Sequence, residues 1–232
     1  MNVAVVPARG GSKRIPRKNI KEFCGKPMIA WPLEVAKESG LFDHIIVSTD
    51  DEEIAEVSRS CGAEVPFIRP EKLSDDYTVT SAVIRHAIKW ILDQGWKVSS
   101  VCCIYATAPL MEKDDLIKAY DIFLSNKWEF VFPATSFVYP IQRAFMKLKT
   151  DGIQMFNPDH FKTRSQDLPV AYHDAGQFCW GKTDAWLEKR MSFSEKSTVV
   201  EIPSYRVVDI DTKEDWRRAE LLYKMLIANG EI

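Results

Sequence analysis

The chain has 232 residues, of which 46% are hydrophobic and 28% are charged, and these values are ordinary for a soluble globular protein with a sizeable core. Its formal net charge of −2 argues against general binding to nucleic acid, because domains that bind nucleic acid are usually basic. No apolar stretch approaches the ~20 residues that span a membrane, and the apolar start of the chain is too short for the core of a signal peptide, so we expect a cytoplasmic protein.

The first predicted element is a buried strand over residues 2–6, and a basic loop follows it. We expect Gly10 and Gly11 to let the backbone turn sharply and to bring its N–H groups close to a ligand. Five cations lie within ten residues around these glycines: Arg9, Lys13, Arg14, Arg17 and Lys18. Amides and cations together make a concavity suited to a polyphosphate, at the edge of the sheet where open α/β proteins bind ligands. The other interpretation is a solvated basic loop.

The spacing in this loop excludes two familiar phosphate motifs. Gly10-Gly11-Ser12-Lys13 lacks the spacing of a P-loop, and the G-x-G-x-x-G fingerprint of dinucleotide-binding domains is absent. Pro16 also argues against a helix that starts directly after the glycines. The sequence therefore predicts a long, ordered, basic loop after the first strand.

Strands and helices are predicted to alternate as far as residue 135. We expect strands at 45–50, 64–68, 101–105 and 130–134, and helices at 28–39, 51–61, 78–94 and 114–126. The run 101–105 is almost wholly apolar, as expected for a strand that is covered on both faces. The alternation predicts an α/β fold with a Rossmann-like, mainly parallel, twisted sheet flanked by helices.

The pattern changes from Ser136. Predicted strands at 144–149 and 153–156 flank Thr150-Asp151-Gly152, which is a hairpin signal, and a polar stretch follows. The remaining predicted elements are a strand at 177–180, a short helix at 184–189, a strand at 199–202, a strand end at 206–212 and a closing helix at 213–228. We interpret the chain as a single domain over 1–232, with a small inserted hairpin region at 136–175 that leaves the main sheet.

Two carboxylates precede the closing helix. Asp209 and Asp211 are two residues apart, so on an extended strand both would point the same way. Such a pair is a reasonable seat for Mg²⁺ beside bound phosphates. The other interpretation is that Asp211 or Thr212 merely caps the helix. Zinc is not expected, because the four histidines lack ligand spacing and the five cysteines form no C-x-x-C pair.

Several short blocks together resemble one enzyme family over essentially the whole chain. They are ARGGSK at 8–13, KN at 18–19, IVSTD at 46–50, RP at 69–70, ATAPL at 106–110 and DIDT at 209–212. This set is similar to the acylneuraminate-type CMP-sugar synthetases, the cytidylyltransferases that activate nonulosonic acids. Four further blocks resemble more closely the branch that activates pseudaminic acid: FPAT at 132–135, PIQRAF at 140–145, RSQDLP at 164–169 and YHDAGQF at 172–178.

The resemblance implies an Mg²⁺-dependent nucleotidyltransferase of the nucleotide-diphospho-sugar transferase fold. It would join CTP to a nine-carbon nonulosonic acid, with pseudaminic acid favoured, and release pyrophosphate, supplying a CMP-sugar for surface glycans or flagellin. The residues implied to bind the nucleotide are Ala8, Arg9, Gly10, Gly11, Ser12, Lys13, Lys18, Asn19, Arg69, Thr80, Ser81 and Thr107. Arg9, Lys13, Asp209 and Asp211 would be the catalytic residues, with both aspartates as metal ligands.

The sugar side departs from the sialic acid enzymes of that family. Tyr105 stands where those enzymes carry glutamine, Gln142 where they carry lysine, and His173 where they carry arginine. A changed sugar pocket beside a kept nucleotide pocket indicates a changed sugar. The predicted sugar-binding residues are Tyr105, Gln142, Arg143, Arg164, His173 and Gln177, with Arg164 or Arg143 pairing the sugar carboxylate.

The alternatives remain open at this point. Some of the predicted sugar-binding residues could instead cap the insertion or lie in a dimer interface. The resemblance also implies a homodimer in which the insertion reaches the partner's active site. A synthetase for sialic or legionaminic acid is the nearest alternative function. A catalytically silent nucleotide-binding module is the alternative from another class.

Overall fold

The alternation of strands and helices is present in the computed structural model, which describes residues 1–125 and 127–231. The strands are β1 (Asn2–Pro7), β2 (Glu22–Phe23), β3 (Lys26–Pro27), β4 (His44–Ser48), β5 (Ser100–Ile104), β6 (Phe130–Ser136), β7 (Phe145–Lys147), β8 (Ile153–Met155), β9 (Tyr172–Asp174), β10 (Phe178–Lys182) and β11 (Ser197–Glu201). The helices are α1 (Ala30–Glu38), α2 (Glu52–Ser60), α3 (Thr80–Asp93), α4 (Lys113–Leu124), α5 (Thr183–Leu187) and α6 (Lys213–Ala228). The predicted helix at 114–126 corresponds to α4, and its last residue, Asn126, lies outside the described residues.

The main sheet has the strand order β11-β6-β10-β5-β1-β4, and β9 pairs with the end of β6. β1 lies parallel to both β4 and β5, and β11 lies parallel to β6. β10 is antiparallel to β5 and β6, so the sheet is mixed with a mainly parallel core. This confirms the predicted fold class.

Helices cover both faces of the sheet, which explains why its inner strands are apolar throughout. On one face Ala4 and Val6 of β1 pack in a cluster with residues of α1, α2 and α4. On the other face Val3 and Val5 pack in a cluster with residues of α3 and α5. The side chains of these four β1 residues are fully buried, so β1 is held firmly in the core. The basic loop that follows it therefore starts from a rigid point.

A third apolar cluster joins the basic loop to the end of the chain. Ile15 of the loop is buried with Phe23, and both pack against Ile210 and Trp216. This cluster places the segment 207–211 beside the basic loop, although the two are about two hundred residues apart in sequence.

Two predicted strands are absent from the sheet. Residues 64–68 make only the isolated parallel bridges Ile46–Glu64 and Thr49–Ile68, because Pro66 between them lacks the N–H that a ladder needs. The strand end predicted at 206–212 is also wrong, since 204–206 forms a 3₁₀ turn and 207–211 has no regular structure. Its apolar residue Ile210 is buried in the third cluster instead.

The insertion at 136–175 does contain the predicted hairpin. β7 and β8 pair antiparallel as a separate two-stranded ribbon, and Asp151 in the turn has a φ of 63°. The insertion rejoins the sheet at its end, where β9 pairs antiparallel with β6. Within the described residues, no helix is long and apolar enough to cross a membrane.

Candidate active site

Two adjoining cavities open at the carboxyl ends of β1 and β5. The first, which we call the basic cavity, has a volume of about 320 Å³ and is lined by the basic loop, by the loop before α3 and by Asp211. The second, which we call the wide cavity, has a volume of about 750 Å³ and lies between the end of β6, β9 and the segment 204–218. Tyr105 and Thr107, which directly follow β5, line both cavities.

The structure gives the loop glycines a role that differs from the predicted one. Neither Gly10 nor Gly11 has a positive φ, and the Gly10 N–H donates to Asp50 Oδ1 at 3.0 Å instead of facing an open ligand site. A Cβ atom added to Gly10 would lie 2.7 Å from Asp51 Oδ2, whereas one added to Gly11 would meet nothing within 4 Å. Gly10 is therefore needed for close approach to the start of α2.

Asn19 and Arg17 hold the basic loop in place, Asn19 by a bond within the loop and Arg17 by ion pairs to α2. Asn19 is buried, and its Nδ2 donates to the Arg9 carbonyl at 2.9 Å. Arg17 adopts a φ of 57° and pairs with Asp51 and Glu53 at the start of α2. The hydrogen bond from Arg17 lowers the pKa of the Asp51 carboxyl. Arg17 thus anchors the loop, while the other four cations line the basic cavity.

Each of those four cations faces a carboxylate across the basic cavity. Arg9 Nη1 lies 2.9 Å from Asp76 Oδ1, and Lys13 pairs with the same carboxylate. Arg14 Nη2 lies 2.8 Å from Asp211 Oδ2, and Lys18 Nζ lies 3.3 Å from Asp211 Oδ1. An anionic ligand such as a polyphosphate would have to compete with these two aspartates for the cations.

The far wall of the basic cavity carries a buried cation. Arg69 is 4% exposed, donates from Nε to Ser74 Oγ at 3.1 Å and lies 3.4 Å from Asp50. Burial lowers the pKa of its guanidinium. Thr80 at the start of α3 lines the same cavity, whereas Ser81 lines a smaller cavity of about 160 Å³ behind it.

A buried ion pair positions the acidic segment. Arg206 lies 2.7 Å from Glu112 and 2.6 Å from Asp115, both at the start of α4. Gln177 is buried and donates to the Arg206 carbonyl at 2.9 Å, so it supports this segment from behind. The segment leads to Asp209, which lines the wide cavity, and to Asp211, which lines the basic cavity. The prediction that the two carboxylates point the same way from one strand is therefore wrong. They border two adjoining cavities instead.

Thr212, and not Asp211, caps the closing helix. The Thr212 hydroxyl accepts from the Asp215 N–H at 3.2 Å, and Asp215 in turn accepts from the Thr212 N–H at 2.7 Å. Asp211 is left facing Arg14 and Lys18, and Asp209 has no ion pair within the described residues. Burial, together with the charge of Asp211, raises the pKa of the Asp209 carboxyl.

Five of the six predicted sugar-binding residues divide into two groups, whereas the sixth, Gln177, is buried against the Arg206 carbonyl and lines neither cavity. Tyr105 and His173 line the wide cavity. Three others lie in the insertion, away from both cavities of their own chain: Gln142 donates to the Pro169 carbonyl at 3.0 Å, Arg143 lies 3.5 Å from the Ser165 hydroxyl, and Arg164 pairs with Asp167 at 2.7 Å.

The sequence model of a family described as cytidylyltransferase matches residues 3–201, which is most of the chain. The chain belongs to the cytidylyltransferase family. A pseudaminic acid cytidylyltransferase of Campylobacter jejuni is 50% identical over 224 residues, which are 97% of each chain. N-acylneuraminate cytidylyltransferase A of Danio rerio is 32% identical over 221 residues, covering 94% of this chain and 49% of that protein.

A solved structure shares the fold. The structure of CMP:2-keto-3-deoxy-manno-octonic acid synthetase complexed with CTP superposes with a TM-score of 0.71 at 13% identity, and the match covers 97% of this chain and 98% of that one. At such low identity the likeness concerns the fold alone. The family membership confirms the prediction that this cytidylyltransferase is a nucleotidyltransferase enzyme.

Sequence reasoning missed five charged residues that line the two cavities of the cytidylyltransferase: Asp75, Asp76, Asp174, Asp215 and Arg218. Asp174 accepts from the Gly176 N–H at 2.7 Å, and burial raises the pKa of its carboxyl. A signal existed for Asp215 and Arg218, because they are three residues apart in the predicted closing helix, just after Asp211, and so lie on the same side of that helix. Asp174 lines the cavity because β9 pairs with the end of β6, and that strand pairing could not be predicted from the sequence.

Proposed function

We propose that this cytidylyltransferase joins CTP to pseudaminic acid and releases pyrophosphate. The observation that supports this best is the pair of adjoining cavities, of which one is lined by cations and the other is wide and mixed in character. A triphosphate suits the first and a nine-carbon sugar acid suits the second, so the substrates would meet at Tyr105 and Thr107. The identity of 50% to the pseudaminic acid enzyme, against 32% to the N-acylneuraminate enzyme, favours pseudaminic acid as the sugar.

In the proposed reaction the anomeric hydroxyl oxygen of the sugar attacks the α-phosphorus of CTP and releases its proton to solvent water. The bond from that phosphorus to the bridging oxygen breaks, and pyrophosphate leaves with the bonding electrons. Arg9 and Lys13 would neutralise the charge that grows on the leaving group, in exchange for their present partner Asp76. Arg69 and Thr80 would contact the nucleoside, and Asn19 would hold the loop in shape. Such catalysis consists mainly of positioning and charge stabilisation.

Mg²⁺ suits the acidic segment. Asp209 and Asp211 offer oxygen donors at the border of the two cavities, and Asp209 forms no ion pair among the described residues, although the charges of Lys18 and Arg14 act on it. Mg²⁺ is usually held by one or two carboxylates, with phosphates and water as the remaining ligands. When bound there, the ion would shield the phosphates and stabilise the departing pyrophosphate.

We also propose a homodimer, formed in the cytoplasm, where CTP is available. The insertion exposes large apolar side chains, among them Val138 at 76%, Tyr139 at 82% and Phe145 at 59% exposure. Exposed apolar patches of this kind are typical of protein interfaces. The partner's insertion could then bring Gln142, Arg143 and Arg164 to the wide cavity. Sedimentation equilibrium tests this, because Tyr139→Glu should yield monomers while the wild-type protein sediments as a dimer.

The proposed reaction is tested by pyrophosphate release with CTP, Mg²⁺ and a panel of nonulosonic acids. We expect release with pseudaminic acid to exceed that with N-acetylneuraminic or legionaminic acid, and to vanish when CTP or the sugar is omitted. Robust turnover of N-acetylneuraminic acid with none of pseudaminic acid would overturn the substrate assignment.

A second measurement separates the enzyme from a silent nucleotide-binding module. Lys13→Ala should lower kcat far more than it weakens CTP binding, because the proposal puts this lysine on the leaving group. The matched control is Lys21→Ala, since Lys21 belongs to the same loop but lies over the Trp216 ring, outside the basic cavity. Equal, small effects of both changes would favour the binding module.

A further inference from the structure

Two free thiols face each other near the middle of the main sheet. Cys103 of β5 and Cys179 of β10 are directly opposite in the antiparallel register of these two strands. Both side chains lie on the face of the sheet that α3 and α5 cover, where Cys103 is 1% exposed and Cys179 is half-buried. Both line the cavity of about 160 Å³ to which Ser81 belongs, which we call the small cavity. The proposed reaction uses neither thiol.

The spacing of the two strands keeps the sulfurs from forming a disulfide. The Tyr105 N–H donates to the Gln177 carbonyl at 2.9 Å. Hydrogen-bonded pairs recur at every second position of an antiparallel ladder, so Cys103 and Cys179, two residues away on each strand, also form such a pair. Their Cβ atoms then lie at the long end of a range of about 4.5–5.5 Å, whereas a disulfide needs about 3.8 Å. Each strand is held by a neighbour on both sides, so the pair stays as two thiols.

The surroundings of the pair disfavour a charged form of either thiol. Burial raises the pKa of both, that of Cys103 to about 12, and the Asp174 carboxylate in the same cavity raises them further. Alkylating reagents attack the thiolate and should therefore react slowly here. A group that joins both sulfurs in a neutral product suits the site better, because a charge buried beside Asp174 would be costly.

We propose that Cys103 and Cys179 together form a binding site for trivalent arsenicals that carry one small organic group. Methylarsonous acid, whose arsenic bears one methyl and two hydroxyl groups, is the simplest of these. In the reaction both As–O bonds break and two As–S bonds form. Each thiol proton leaves with a hydroxyl group as water, so arsenic stays trivalent and no oxidant is needed. The product is neutral, and the arsenic atom bridges two sulfurs that are too far apart for a direct bond.

The small cavity gives the arsenical space and a route from solvent. Aromatic side chains form much of its wall, with Phe132, Trp186 and Phe193 among the lining residues. Phe193 lies in the loop between α5 and β11, is 64% exposed and packs edge-on against Phe132 with the ring centroids 5.2 Å apart. The cavity therefore reaches the surface beside a loop side chain, and its apolar wall suits the methyl group of the adduct.

An adduct in the small cavity would disturb both substrate cavities. Tyr105 lines all three cavities, Thr80 is shared with the basic cavity and Asp174 with the wide cavity. Cys103 also lies only two residues before Tyr105 in the chain. Because a shift approaching 1 Å in a positioning group can lower a rate by about 10²-fold, we expect the adduct to lower kcat/KM roughly 10- to 100-fold.

Mass spectrometry of the intact, reduced protein with methylarsonous acid tests the site, once the reductant has been removed. The wild-type protein should gain one methylarsenic group and lose two hydrogen atoms. Cys103→Ala and Cys179→Ala should each bind the group roughly 100-fold more weakly, because the second sulfur no longer acts at high effective concentration. Cys102→Ala is the matched control and should bind like the wild type, since Cys102 lies in the cluster on the opposite face of the sheet.

Fragmentation of the wild-type adduct gives a readout that does not depend on the folding of a variant, because arsenic should join the peptides that contain Cys103 and Cys179. Excess dithiothreitol should remove the group and restore pyrophosphate release, whereas mercaptoethanol at the same thiol concentration should not.

The proposal is overturned if the wild-type protein takes up no methylarsenic group, if arsenic joins other cysteines, or if either single variant binds as tightly as the wild type. An adduct that leaves pyrophosphate release unchanged would contradict the link to Tyr105. If the unmodified protein releases no pyrophosphate with any sugar acid, the proposed function fails, and the mass measurement still decides whether the two thiols form the site.

Discussion

Replacing Gly10 with alanine should damage the site through a contact that the sequence does not reveal. The new Cβ would lie 2.7 Å from Asp51 Oδ2 and 3.0 Å from Asp51 Cβ, about 0.7 Å short of ordinary contact with the oxygen. Asp51 cannot swing aside cheaply, because its Oδ1 accepts from the Ile54 N–H at 3.0 Å and from Arg17 Nη2 at 2.9 Å. The basic loop would therefore have to move.

The size of the effect follows from that displacement. Overpacking of this kind costs about 1–3 kcal/mol, which corresponds to a melting temperature lower by roughly 2–12 °C for a domain of this size. A shift approaching 1 Å in a group that positions a substrate can lower a rate by about 10²-fold, so we expect kcat/KM for CTP to fall roughly 10- to 100-fold.

Gly11→Ala is the control for this experiment. Its Cβ would meet nothing within 4 Å, so activity and melting temperature should stay close to those of the wild-type protein. Pyrophosphate release and thermal melts of both variants provide the readout. If Gly11→Ala is as harmful as Gly10→Ala, or if Gly10→Ala retains full activity, the close-approach argument is refuted.

Three further changes probe the supports of the site. Arg206→Met should lower the stability by about 3–5 kcal/mol, because it leaves Glu112 and Asp115 unpaired, and a thermal melt against the exposed control Arg217→Met checks this. Asp76→Asn should tighten CTP binding several-fold in titration calorimetry, since Arg9 and Lys13 lose the carboxylate that competes with phosphate; unchanged affinity would contradict this. Asp51→Asn should lower the melting temperature at neutral pH. Because Arg17 depresses the pKa of Asp51, this difference should close as the pH falls below about 4, and a gap that persists at low pH would contradict the assignment.

Local patterns predicted the elements whose cause is local. The closing helix was predicted over the residues that α6 occupies, because its apolar residues recur at helical spacing and Thr212 was a candidate cap. The structure adds that Asp215 completes a capping box with Thr212. The hairpin of β7 and β8 was likewise predicted by the turn at Asp151 and Gly152. The basic loop was recognised from its density of cations alone.

The remaining features depend on contacts between distant parts of the chain. Ile210 packs in the cluster around Ile15, so residues 206–212 do not join the sheet. The pattern of apolar residues within this segment does not predict that contact. The need for glycine at position 10 comes from Asp51, forty-one residues away. Asp211 lines one cavity, whereas Asp209 and Arg218 line the other. This arrangement results from the packing of α6 against the basic loop.

A crystal structure with CTP and Mg²⁺ would test the central claim most directly. We predict that the triphosphate lies in the basic cavity on Arg9, Lys13 and Lys18, with Asp76 displaced and the metal ion on Asp209 and Asp211. A nucleotide bound outside this cavity, or a metal ion that contacts neither aspartate, would contradict the account.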